Sequence, residues 1–316
     1  MGSPYDIPFL ALSDSSLNKR YHSCERKFEL NKLYGHARNE FDGELPARAG
    51  KAMHEAWQEY LITRDRDAAV RKLIMCHPSS LVKSGYGSWS AEACYITLME
   101  CLDSPMHGQY ELAMVNVNGE QRPAIEVPFR IIFKNVSLFD DRHCPVYYDG
   151  FIDSIMYDHV SERFAIFDAK NTRKDRRDYT EMFKRDAQCL PYAFVIDRIL
   201  GQPPTSLDVH YVVNYVDIMN PKSFKYSFHK TAADIQDWAF GVAYSIRDIK
   251  NYARVGYFPK RGGACDVFGV CTYANVCDYR EPAAIRQALD LTFGPRDDSK
   301  IFEPWFTLEL EIEGLA

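Results

Sequence analysis

Two apolar segments, VYYDGFIDSIMY at 146–157 and RFAIFDAK at 163–170, are separated only by the short turn Asp158–Glu162. Runs of this length, rich in aromatic and β-branched residues, read as strands, and so short a linker joins them as an antiparallel hairpin. Folding the hairpin near residue 160 brings Asp153 close to Asp168. Side chains two apart on a strand share a face, so Asp168 and Lys170 project together. Phe164-Ala165-Ile166-Phe167 reads as buried, which puts the pair at a sheet rim.

Around this hairpin the pattern alternates between helix and strand. Residues 14–34 begin with Ser/Asp capping candidates and carry Leu17, Tyr21, Cys24, Phe28 and Tyr34 at near-helical spacing. Residues 47–63 place Ala49, Ala52, Met53, Ala56, Trp57, Tyr60 and Leu61 on one face, and a third helix is expected over 91–102. Glu111–Val117 and Ala124–Phe133 flank Asn118-Gly119, a hairpin signal. After residue 178 the chain returns to helix, then gives a strand at 206–215 and a long helix at 232–254. The expectation is a mixed α/β sheet with helical additions.

The 316 residues are 46% hydrophobic and 26% charged, an ordinary globular composition. No apolar run reaches bilayer length and no secretory leader is expected, so the reading is a cytoplasmic protein with no membrane partner. The net charge of −6 does not announce a nucleic-acid binder. Residues 278–316, however, hold nine acids against four Lys/Arg, and basic clusters stand out in the near-neutral remainder. The expected division is a domain over 1–280 and an acidic tail over 281–316. The tail's alternation of apolar and acidic residues suits an edge strand, a partner-binding segment or a shield over a basic groove.

Two carboxylates at a sheet rim make an oxygen-ligand site for Mg²⁺ or Mn²⁺. A lysine beside them can hold a nucleophilic water or offset charge on a phosphodiester. On Asp-x-Lys alone, which occurs often by chance, the default reading is a solvated, salt-bridging strand end. More residues bear on it: Gly50-Lys51-Ala52-Met53-His54 lies on the second helix, and Gln188 and Tyr192 stand four apart. Gly-x3-His, Gly-Phe-Ile-Asp, Asp-Ala-Lys and Gln-x3-Tyr, in that order, resemble the PD-(D/E)XK nuclease superfamily and its RecB-like exonuclease branch over roughly residues 12–280.

That resemblance implies a restriction-endonuclease-like fold: a mixed central sheet flanked by helices, with a helical N-terminal part and a C-terminal cysteine-cluster segment. Carried over residue by residue, it makes His54, Asp153 and Asp168 metal ligands, with the Ala169 carbonyl a further one. Lys170 becomes the catalytic lysine, and Gln188 and Tyr192 the pair that orients substrate or Lys170. Glu126, in AIEVPF, matches the family's strand glutamate. The competing reading keeps His54 as a half-buried helix histidine and Gln188 and Tyr192 as ordinary polar and interfacial residues. Pro191 departs from the pattern, because it would kink a helix running from Gln188 to Tyr192. Either the helix starts near Pro191 with Gln188 in its first turn, or it bends there.

Nine cysteines in a chain read as having no export signal argue against a disulfide framework. Cys76, Cys94, Cys101, Cys144 and Cys189 read as buried thiols, whereas Cys265-x5-Cys271-x5-Cys277 is a ligand pattern. The resemblance adds Cys24, in YHSCERKFEL, and implies a [4Fe–4S] cluster on Cys24, Cys265, Cys271 and Cys277. Tetrahedral Zn²⁺ is the alternative that spacing leaves open. Either would clip the N-terminal helix to the C-terminal segment, making metal binding part of the folding free energy.

Two basic stretches are candidate DNA contacts. Arg173, Lys174, Arg176 and Arg177 follow Lys170, and Lys250, Arg254, Lys260 and Arg261 are interleaved with Tyr252, Tyr257 and Phe258. Basic groups neutralise phosphates and aromatics stack on unpaired bases, although a solvated surface gives the same pattern. The expected function is metal-dependent, exonucleolytic hydrolysis of DNA that is single-stranded or has single-stranded ends. Recombination, repair or phage replication is the implied setting, compatible with a helicase or recombination partner. The rival readings are a non-cleaving iron–sulfur subunit that binds DNA ends and a zinc-stapled structural protein.

Overall fold

The computed structural model describes residues 4–13, 17, 21–37, 45–78, 89–104, 108–173, 183–184, 186–203, 207–265, 271–295 and 302–311. Strand β1 (Leu10–Leu12) precedes helix α1 (Glu25–Phe28), which continues as a π-helical turn at Glu29–Leu33, and strand β2 (His36–Ala37). Helices α2 (Leu45–Thr63), α3 (Arg66–Cys76) and α4 (Ala91–Leu102) follow. The strand block comprises β3 (Tyr110–Leu112), β4 (Met114–Val117), β5 (Glu120–Pro123), β6 (Ile125–Ser137), β7 (Pro145–Asp158) and β8 (Arg163–Thr172). Then come α5 (Cys189–Leu200), β9 (Asp208–Tyr215), β10 (Lys222–His229), α6 (Ala232–Val255), α7 (Pro282–Thr292), β11 (Gly294–Pro295) and β12 (Phe306–Leu310).

The main sheet runs in the order β10-β9-β8-β7-β6-β12, with β1 and β3 also pairing to β7. It is mixed: β7 with β8 and β9 with β10 are antiparallel, while β8 with β9 and β12 with β6 are parallel. Parallel neighbours need a crossover, and α5 lies within the one between β8 and β9. The chain forms two compact units, one of residues 1–42, 128–150 and 236–316 and the other of 43–127 and 151–235. No helix among the described residues is long and apolar enough to cross a membrane.

In the second of these units, the apolar stripe of α2 (Ala49, Ala52, Met53, Ala56, Trp57) packs in one core with Leu98 of α4 and Phe167 and Val212 of the sheet. The spacing of these α2 residues, three and four apart, dictates that burial. The α4 boundaries agree with the sequence reading because Ser90 Oγ caps the helix, accepting from Ala93 N at 3.1 Å. Asn118 and Gly119 do turn the chain, with φ of 53° and 90°. They pair β4 with the short β5 rather than with the strand after residue 124, and β3 breaks away to pair with β7.

In the first unit, a Cβ on Gly150 of β7 would come within 2.5 Å of the Phe129 ring of β6, so the glycine of Gly-Phe-Ile-Asp makes room for an aromatic neighbour. The long N-terminal helix expected over 14–34 is confined, among the described residues, chiefly to α1 and its π-helical turn, with residues 14–16 and 18–20 outside the description. Ile285, Leu289 and Phe293, from the stretch read as an acidic tail, share a core with Leu30, Tyr273 and Val276. Further along, β12 pairs in parallel with β6, from Phe306 opposite Phe129 to Leu310 opposite Phe133.

Candidate active site

The β7–β8 ladder sets Ser154 opposite Phe167 and Ile155 opposite Ile166. Asp153 and Asp168 are the next residues of the two strands beyond the end of that ladder, and the Asp168 charge acts on Asp153. Asp168 is wholly buried, and the Asp153 side chain is 17% exposed. Helix α2 brings His54 to the same place, its Nε2 lying 4.0 Å from Asp153 Oδ2 and 2.9 Å from Glu126 Oε1 of β6. Gln58, one turn after His54, approaches both: its Nε2 is 2.6 Å from His54 Nε2 and donates to Glu126 Oε1 at 2.6 Å. The i, i+4 spacing from His54 is the signal that identifies Gln58 in the sequence. Glu126 itself has a φ of 46°, a left-handed backbone that a non-glycine residue adopts at a cost.

Lys170 Nζ donates to Asp168 Oδ2 at 3.0 Å and to Gln188 Oε1 at 3.0 Å. It also lies 2.7 Å from Asp168 Oδ1 but outside hydrogen-bond geometry, which leaves that buried oxygen without a hydrogen bond. Gln188 Nε2 donates to Tyr192 Oη at 3.2 Å. The question raised by Pro191 resolves in favour of a late start: α5 begins at Cys189, with Gln188 as its N-cap. Pro191 therefore sits in the first turn, where backbone N–H groups have no intrahelical partner to lose.

The electrostatics follow from this crowding. Burial raises the Asp153 carboxyl, and the charge of Asp168 raises it further. Burial raises Asp168 too, with Lys170 only partly offsetting it. Burial works against the Lys170 charge, but Asp168 and Asp153 outweigh it and hold the ammonium protonated. For His54, burial is likewise outweighed, by the Glu126 hydrogen bond and the Asp153 charge, so its pKa rises. Burial would raise Glu126, yet hydrogen bonds from His54 and Gln58 bring it below the ordinary carboxylate value.

His54, Glu126 and Asp153 each offer a ligand atom, all within 4.8 Å of one another. One imidazole with two carboxylates is a donor set that fits a divalent cation, while Asp168, expected as a ligand, is not part of the group at this spacing and is paired with Lys170. A cation there would offset the Asp168 repulsion that adds to burial in raising Asp153.

The other expected residues fare differently. Arg173 is exposed directly after β8, and Lys174, Arg176 and Arg177 lie outside the described residues. Lys260 donates to Asp278 and Arg261 to Glu25, while Lys250 pairs with Asp140 at 2.9 Å, so these cations are engaged within their own unit. The neighbours of Cys24 reach those of the late cysteines: Arg26 N donates to Pro259 O at 2.9 Å and Arg26 Nη2 to Tyr279 O at 2.7 Å. Burial raises the Cys277 thiol, and Cys24 nearby adds to this. Among the described residues, Cys24, Cys265, Cys271 and Cys277 do not form a group at the 4.8 Å ligand spacing.

Residues 11–278 match the family model described as the PD-(D/E)XK nuclease superfamily. The chain belongs to the PD-(D/E)XK nuclease superfamily. No curated protein matches the chain. Among solved structures, a "Putative exonuclease" from Eubacterium rectale is 15% identical with a TM-score of 0.46, covering 82% of this chain and 86% of its own. The structure of SSO0001 is 10% identical with a TM-score of 0.25, covering 81% of this chain and 95% of its own.

Proposed function

We propose that this PD-(D/E)XK protein hydrolyses DNA phosphodiesters as an exonuclease of the RecB-like branch, using Mg²⁺ or Mn²⁺ held by His54, Asp153, Asp168 and Glu126. The observation that carries the reading is Lys170 Nζ, bonded to both Asp168 and Gln188 beside a buried carboxylate oxygen that lacks a hydrogen bond. When bound, the cation would polarise the scissile phosphate and lower the pKa of an attacking water. Lys170, kept charged by its carboxylate neighbours, orients that water or offsets charge developing on a phosphoryl oxygen. Gln188 fixes the ammonium, and Tyr192 fixes Gln188.

A second reading is a non-cleaving subunit that binds DNA ends. The full set of Asp153, Asp168 and Lys170 speaks against it, because a retired site gains nothing from burying two crowded carboxylates. The test is cleavage of end-labelled linear and closed circular DNA, single- and double-stranded, with Mg²⁺, Mn²⁺ or EDTA. Asp168→Ala and Lys170→Ala serve as controls. Metal-dependent loss of linear DNA alone, absent in both variants, is the expected result. Cutting of circles would retire the exonuclease, and inactivity of well-folded protein would favour the binding subunit.

The proposed [4Fe–4S] ligands are Cys24, Cys265, Cys271 and Cys277, with Zn²⁺ the alternative. The contacts from Arg26 to Pro259 and Tyr279, together with the Glu25–Arg261 ion pair, support a shared site by bringing the flanking segments together. Iron and sulfide analysis of protein purified without oxygen tests this. Cys271→Ser is expected to lose iron and colour, and full iron content would remove Cys271 from the ligand set.

A further inference from the structure

Lys230, immediately after β10, is only 5% exposed. Its ammonium donates to the backbone carbonyls of Lys184 at 2.9 Å and Asp186 at 3.2 Å. A cation is costly to bury unless its donors are well met, and a flexible lysine stem ordinarily reaches for water. The side chain is instead spent on two carbonyls of one short turn.

That turn leads directly into the active site. Phe183 at its start is stacked on Tyr211, with centroids 4.3 Å apart and planes 12° from parallel. Asp186 N donates to Phe183 O at 3.2 Å, and Asp186 Oδ1 accepts from Gln188 N at 2.9 Å. Gln188 begins α5 with helical φ/ψ and no side-chain cap, and its N–H is held by Asp186 of this turn rather than by the helical ladder. Its Oε1 then accepts from Lys170 Nζ at 3.0 Å.

We propose that Lys230 is a positioning residue for Lys170, acting through Gln188: by clamping the carbonyls of Lys184 and Asp186 it sets the turn from which Gln188 reaches the catalytic ammonium. The proposal rests on the nuclease reading. It assigns a role in the reaction to a buried cation that touches neither metal ligands nor substrate. A staple that served only the fold would change stability without singling out the Gln188 contact.

A double-mutant cycle separates the two. Single-turnover cleavage of end-labelled linear DNA with Mn²⁺ is measured for the wild type, Lys230→Met, Gln188→Ala and the double variant, along with DNA affinity in EDTA. Each single variant is expected to lose roughly tenfold in rate, with DNA affinity held within about twofold. The double variant should be no more than about twofold slower than Gln188→Ala, because both substitutions break one path. Losses that multiply, a Lys230→Met protein of full rate, or a loss explained by DNA affinity would each overturn the proposal. If Lys230→Met does not fold, Lys230→Arg replaces it, its planar head misplacing the donors. A rate loss confined to the background that retains Gln188 then supports the proposal, whereas a loss shared by both backgrounds, or none, overturns it. An inactive wild type overturns the nuclease reading and this proposal together. An active wild type with multiplying losses overturns this proposal alone.

Discussion

His54 Nε2 and Glu126 Oε1 stand 2.9 Å apart, joining helix α2 to a strand residue whose φ of 46° lies in the left-handed region. Strain of this kind persists only where surrounding contacts fix it, and here those contacts come from His54 and Gln58. Glu126 is thus held where it offers a ligand atom beside His54 and Asp153. Glu126→Gln keeps the shape and removes the charge, and is expected to weaken Mn²⁺ binding by roughly tenfold in a calorimetric titration. Unchanged affinity would place Glu126 outside the ligand shell.

Lys170 both serves the proposed chemistry and compensates Asp168. Lys170→Met is therefore expected to reduce cleavage at least about 10²-fold. In EDTA at neutral pH it should also destabilise the protein, by up to about 3 kcal/mol in urea unfolding. That is less than the full cost of stranding a buried charge, because Asp168 can take up a proton. Adding Mn²⁺ should restore stability but not cleavage. Restored cleavage would show that the ammonium is dispensable.

Acid sensitivity is expected from a histidine remote from the chemistry. His210 is buried with its ring 4.8 Å from Phe167 and 5.4 Å from Tyr110, and its Nδ1 is 2.8 Å from Ser227 Oγ. Burial, assisted by Lys225, lowers its pKa to about 4. The unfolded chain binds this proton near about pH 6.5, so between those values it holds more protons than the native state. Stability from this group is present above about pH 6.5 and is lost as pH falls towards 4, by up to roughly 3 kcal/mol. Denaturant titrations at pH 7, 6 and 5 should show a shallower decline for His210→Gln. Equal declines in both proteins would remove His210 as the cause.

Arg261 tests whether a basic cluster read from sequence binds DNA or holds the fold. It pairs with Glu25, whose side chain is only 4% exposed. Arg261→Ala is expected to lower the melting temperature and leave the salt dependence of DNA binding unchanged. A salt slope reduced by about one would instead make Arg261 a phosphate contact.

The legible part of this molecule was its local chemistry. Asp153, Asp168 and Lys170 sit on two strands joined by a short turn, so alternation and register suffice to bring them together. His54 and Gln188 were legible through motif order. Less so were features made by distant segments: the Glu25–Arg261 pair spans 236 residues, and nothing in either charge announces the other. Strand β10, KSFKYSFH, carries Phe224, Tyr226 and Phe228 at alternate positions, a strand signal that the sequence reading passed over; at the sheet edge these aromatics are at most partly covered. The Asn118-Gly119 turn was read correctly and its partner strand was not, because a turn residue fixes a reversal but not which downstream segment pairs.

The two units are interleaved, with the chain passing between them four times. A gene fragment spanning 43–235 would encode every proposed ligand of the Mg²⁺ or Mn²⁺ ion and Lys170, yet it would also carry residues 128–150. Those residues pair with β1 through Val146–Tyr148 and with β12 through Phe129–Phe133, and both partners lie outside the fragment. Open strand edges of that kind recruit other chains. The proposed catalytic constellation is consequently not a portable cassette: grafting or trimming it would require the segments that carry β1 and β12, and insertion sites for fusion partners belong in surface turns such as Asn118-Gly119.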